Sequence, residues 1–169
     1  MMYSFLGRVI WGIVLLVVQG LVFNHISLFG YVTPVIYIYM LCIQPQNTSR
    51  SAWLLWGFMT GLGADFFSGT PGVGAASMTL TAMCAPKLLH LFIPKDCLED
   101  MVPGYGTLGT WKYIWYVTLL VFLQQAFALL LEIFSFFHIM DMFYTYLCSS
   151  LLSVLLILVL EKIRGNEIS

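Results

Sequence analysis

Long apolar runs, interrupted by short polar or glycine-rich stretches, make up almost the entire chain. They fall at about residues 9–28, 31–44, 52–67, 73–93, 112–137 and 142–161. A helix rises about 1.5 Å per residue, so about 20 apolar residues cross a bilayer. The pattern therefore predicts an all-α integral membrane protein, one domain over residues 1–169 with six transmembrane helices. The second segment contains Pro34 and ends in the polar turn "QPQNTSR". Between the fourth and fifth lies "PKDCLEDMVPGYGTLGTWK", whose Pro, Gly and charged residues place it outside the membrane. After Arg8, the run "VIWGIVLLVVQGLVF" is longer than a secretory signal core and lacks a small-x-small cleavage site after it. It reads as a retained first span.

Six crossings put the N-terminus, the loop after the second span, the loop 94–112 and the C-terminus on one side. These regions and their flanks hold Arg8, Arg50, Lys87, Lys95, Lys112, Lys162 and Arg164, which are all 7 Lys and Arg of the chain. Basic residues concentrate on the cytoplasmic side, so both termini are expected there. The opposite side is left with the short turns "NHISLFG", "SGTP" and "FHIMD", too small to fold as an external domain.

Composition agrees with this reading. Hydrophobic residues make up 60% of the chain and charged residues 9%, against about 25% charged in an ordinary soluble domain. A net charge of −1 supplies no basic field for nucleic acid. Cys42, Cys84, Cys97 and Cys148 show no CxxC or metal-like spacing, so neither a disulfide framework nor a zinc site is expected.

Residues 57 to 74, "GFMTGLGADFFSGTPGVG", hold six of the 14 glycines around a single acid. Gly57, Gly61 and Asp65 recur every four residues, a step that drifts only about 40° around a helix, and so share one face. Gly57 and Gly61 form a GxxxG pair of the kind that lets helix backbones approach in lipid. Asp65 falls in the last turn of its helix, where the dipole disfavours an anion, and a charge inside the bilayer requires a partner. The N–H groups opening the next helix at Gly72 to Gly74 are the nearest donors. Two uses are open and compatible. Gly57, Gly61, Asp65, Gly69, Pro71, Gly72 and Gly74 either build a structural hairpin or also contact another membrane protein.

Other polar groups are sparse. Asn24, His25, Asp65, Glu132, His138 and Asp141 lie near the outer side. Asp65 with Asp141 offers an aspartyl dyad, and a His/Glu/Asp set offers a metal site, but residues that simply end helices account for both. Glu132, inside the fifth span, requires a partner, and Gln124 and Gln125 extend a polar stripe on that helix. Ala75, Ala76, Ser77, Thr79, Thr81, Ala82, Cys84 and Ala85 make a small-residue surface on the fourth span, most simply packed against the third. Lys87 snorkels, His90 follows it toward the cytoplasm, and Trp53, Trp56, Trp111 and Trp115 mark the interfacial belt. The C-terminal "EKIRGNEIS" reads as a short solvated tail.

The stretch "GFMTGLGADFFSGTPGVGAASMTL" resembles the central signature of the rod shape-determining MreD family, a span with the pattern G-x-x-x-G-x-x-x-D followed by spaced glycines and a small-residue helix. Gly57, Gly61, Asp65, Gly69 and Gly72 or Gly74 occupy the corresponding positions, and the preceding "YVTPVIYIYMLCIQPQNTSR" is similar as well. The resemblance covers roughly residues 20 to 95. It implies a non-enzymatic inner-membrane role without a cofactor, in association with the bitopic protein MreC. Through MreC it implies a link to actin-like MreB and to a RodA-type polymerase with its class B penicillin-binding protein, in cell elongation and lateral peptidoglycan synthesis. It also implies a fold similar to the substrate-binding subunits of energy-coupling-factor transporters. Two alternatives follow: a substrate-binding subunit of a vitamin importer, and a membrane aspartyl hydrolase using Asp65 and Asp141. Against the importer, the first span has only Gly12 and Gly20, which do not form the AxxxA-like docking pair of such subunits.

Overall fold

The computed structural model describes residues 2–20, 35–68, 72–93, 102–132 and 139–167. Most of these residues are helical, and no strand occurs among them. In chain order the helices are α1 (Met2–Val18), α2 (Tyr39–Cys42), α3 (Arg50–Ser68), α4 (Val73–Phe92), α5 (Tyr105–Leu108), α6 (Thr110–Glu132) and α7 (Ile139–Glu167). Two stretches, Thr110–Leu131 of α6 and Tyr144–Arg164 of α7, are long and apolar enough to cross a membrane. The apolar run of α1, Val9–Val18, is shorter. Gly, Ala, Ser and Thr make α3 and α4 less apolar, although they have 19 and 20 residues.

Exposed side chains follow the helical period. On α7 the outward row is Tyr144, Leu147, Leu151, Leu155, Val159 and Ile163, and on α3 it includes Leu54, Phe58, Leu62 and Phe66. Soluble helices place charged and polar groups on such faces. Here these apolar stripes face away from a core that is itself full.

Helices α3 and α4 pack with backbone nearly touching backbone. A Cβ added at Gly57 would lie 2.6 Å from Ala82 Cβ and 2.9 Å from the Met78 carbonyl oxygen. One added at Gly61 would lie 2.5 Å from the Gly74 carbonyl oxygen and 2.7 Å from Ala75 Cα. The GxxxG face is thus filled from within the chain, by the small-residue side of α4 that buries Ala75, Met78, Ala82 and Ala85. It is not open to a partner.

The second apolar segment differs from the continuous helix expected over 31–44. Within its described part only Tyr39–Cys42 is helical, and the surrounding turns close by i to i+3 bonds such as Tyr39 N–H to the Ile36 carbonyl at 2.9 Å. Pro34 has no N–H and cannot continue a helical ladder, so the donors beside it need side-chain partners. Val35 N–H donates to Ser153 Oγ at 2.7 Å and Ile36 N–H to Gln19 Oε1 at 2.9 Å. Ile36 to Ile43 are buried and form the centre of the core, enclosed by Leu15, Trp53, Met78, Leu89, Tyr116, Leu120 and Ile157.

The close packing sets a test. Gly57→Ala and Gly61→Ala each overpack a backbone contact and are expected to destabilise the folded chain by about 1–3 kcal/mol. Gly7→Ala, whose Cβ would meet nothing within 4 Å, is expected to be neutral or to stabilise slightly through helix propensity. Thermal unfolding of the three variants in detergent reads the difference.

Candidate functional site: the Asp65 hairpin

Asp65 is carried on the last turns of α3, one four-residue step beyond Gly61 on the same face, and is buried. Its carboxylate accepts three backbone hydrogen bonds from the start of α4. Oδ2 takes Gly72 N–H at 3.0 Å and Ala75 N–H at 2.9 Å, and Oδ1 takes Gly74 N–H at 2.7 Å. These are donors left without partners in the first turn of any helix. A carboxylate at that terminus also lies at the favourable end of the α4 dipole. Gly72, the N-cap, adopts φ of 95°, a left-handed conformation that glycine takes without penalty. At Gly74 a Cβ would collide with the Asp65 carboxylate.

A series of polar groups extends from the cap across the bundle. Ser77 Oγ donates to the Gly74 carbonyl at 3.1 Å, and Gln124 Nε2 of α6 donates to Tyr37 OH at 3.2 Å and reaches Ser77 Oγ at 3.5 Å. Tyr37 is buried, so this series of polar groups runs from the start of α4 through α6 to the segment 35–44. Asp65 ties α3 to α4, and Gln124 ties α4 to α6 and to the segment 35–44.

The structure brings together Gly57, Gly61, Asp65, Gly72 and Gly74. Gly69 and Pro71 lie outside the described residues. Gln125 is buried, with its Nε2 unpaired. The Glu132 and Asp141 side chains, and Asn24, His25 and His138, also lie outside them, and with these the second member of the aspartyl dyad and most of the metal set. Among the described residues no group of three or more His, Cys, Asp or Glu is placed to hold a metal ion.

A second polar cluster was missed by the sequence reading. Glu161 is buried rather than part of a solvated tail, because α7 continues to Glu167. Tyr39 OH donates to Glu161 Oε2 at 2.5 Å, Arg164 pairs with Glu161 Oε1 at 3.2 Å, and Arg164 donates to Tyr39 OH at 3.2 Å. Gly104 packs against Glu161 Oε1, and Tyr105 OH donates to the Leu158 carbonyl at 3.0 Å. Part of the loop 94–112 is therefore seated on the end of α7. Burial, and secondarily the Glu161 carboxylate, push the Tyr105 hydroxyl above its ordinary value, which keeps it a donor. The one available signal was the Glu161/Arg164 pair at i, i+3.

Comparison with protein families, curated proteins and solved structures finds no match for this chain.

Asp65→Asn has one acceptor oxygen where two are used and turns an NH2 toward a backbone donor. The variant is expected to lose about 1.5–3 kcal/mol and to exchange the Gly72, Gly74 and Ala75 amides faster, as read by hydrogen–deuterium exchange. Tyr39→Phe removes the neutral donor to buried Glu161 and is expected to cost about 1–3 kcal/mol. Exchange then accelerates at 158–164 while the α3–α4 hairpin stays protected.

Proposed function

We propose that this chain is a non-enzymatic, multi-pass scaffold of a bacterial inner membrane that binds an MreC-type bitopic protein and supports lateral peptidoglycan synthesis and rod shape. In this reading the chain crosses six times with both termini cytoplasmic, and MreB, the RodA-type polymerase and the class B penicillin-binding protein are reached indirectly. The observation that carries it is the signature of Gly57, Gly61, Asp65 and the glycines that follow, in a chain whose helices turn apolar stripes outward. Asp65 supports a structural role, since its carboxylate is occupied by three backbone donors.

One part of the expectation changes. Helix α4 fills the glycine face, so a partner helix meets an outward face of the bundle and not a glycine-lined groove. The hairpin then acts as the rigid support of that face. Affinity purification of the tagged chain from membranes tests the reading, together with depletion in a rod-shaped host. The expected result is retention of an MreC-type protein through detergent extraction and rounding of depleted cells. A folded chain that retains no such protein, or depleted cells that keep their rod shape, overturns it.

A further inference from the structure

Along the outward side of α4 runs a groove of about 320 Å³, lined by Cys84, Lys87, Leu88 and Leu91 with Leu123 of α6. The four α4 residues fall at i, i+3, i+4 and i+7, so they form one strip about 10 Å long. Its volume equals about ten waters, yet its walls are almost wholly apolar and offer water few partners. Lys87 is the only charged residue on the lining. Among the described residues no carboxylate pairs with it, since their one ion pair is Arg164 with Glu161. Lys87 and, one turn nearer the helix end, His90 are both exposed. Lys87 stands midway along this apolar strip, between Cys84 and Leu91, and with no carboxylate paired to it among the described residues the strip complements a molecule with a hydrocarbon chain and an anionic head. The aliphatic stem of a lysine lies along such a trough while its ammonium reaches toward the headgroups.

We propose that this groove binds one acyl chain of an anionic phospholipid and that Lys87 pairs with the phosphate of its headgroup. The inference rests on the membrane reading above but is independent of the choice of protein partner. Cys84 lies in the groove and is half-buried, whereas Cys148 is exposed on α7 and Cys42 is fully buried. Occupancy therefore shields one of the three thiols among the described residues.

The test uses the full chain in a neutral detergent with a membrane-permeant maleimide, and reads each cysteine by peptide mass spectrometry. Phosphatidylglycerol is compared with phosphatidylcholine of the same chains and with inorganic phosphate. Phosphatidylglycerol is expected to slow Cys84 labelling about fivefold more than phosphatidylcholine, the size of one lysine–headgroup attraction near a membrane surface. Phosphate alone is expected to do nothing, and Cys148 to react equally throughout. Lys87→Gln abolishes the difference between the lipids and Lys87→Arg keeps it, with Cys42 unlabelled in both as the sign of an intact core. Equal protection by the two lipids, no protection by either, or an undiminished difference in Lys87→Gln overturns the site. Each of those results leaves retention of an MreC-type protein unaffected, so the two readings fail separately.

Discussion

Backbone donors at a helix start need acceptors, and in an apolar surrounding they have no water to supply them. Asp65 answers that constraint for α4 by accepting from Gly72, Gly74 and Ala75 together. Much of the rest depends on it. Because the cap comes from α3, the two helices must lie side by side, and the glycines at 57 and 61 let them close until backbone meets backbone. Unfavourable placement of a carboxylate at the end of one helix is offset by favourable placement at the start of the next.

The same constraint recurs at the broken segment 35–44, with a different solution. Side chains from α7 and from the end of the first helical stretch, Ser153 and Gln19, reach inward to the donors beside Pro34. Tyr37 and Tyr39 then fasten the segment to Gln124 and Glu161. Irregular backbone away from water needs protein partners for its polar groups, and this segment lies within the buried core. Polar residues that hydropathy treats as interruptions are the ones that hold the centre together.

How much of this could be read from the chain depended on the distance over which each contact acts. The α3–α4 hairpin was legible because its determinants are local: a four-residue spacing, an acid in a last turn, and donors seven to ten residues further on. Helix α4 as the neighbour of α3 was legible from its run of small side chains. The break at 35–44 was not, since apolarity over Tyr31 to Ile43 says nothing about which backbone groups find partners, and Ser153 is 118 residues away. Glu161 was hidden for a related reason. Hydropathy falls at "EKIRGNEIS" whether the acid enters water or meets a buried tyrosine, and Tyr39 is 122 residues distant. The glycine face was legible as close packing, while how near the two backbones come required the fold.

The reach of those contacts also orders the assembly of the chain during synthesis. Val35 leaves the ribosome 118 residues before Ser153 exists to accept from it. At about 5–20 residues per second, that interval lasts roughly 6–24 s. The hairpin of α3 and α4, by contrast, closes on a neighbour made within the same second or two. Through the longer wait the segment 35–44 has its own turn bonds and Gln19 as partners, and the acceptor for Val35 arrives with the last helix. Assembly of the bundle is therefore completed from the C-terminal end, with α7 locking a central element made long before it.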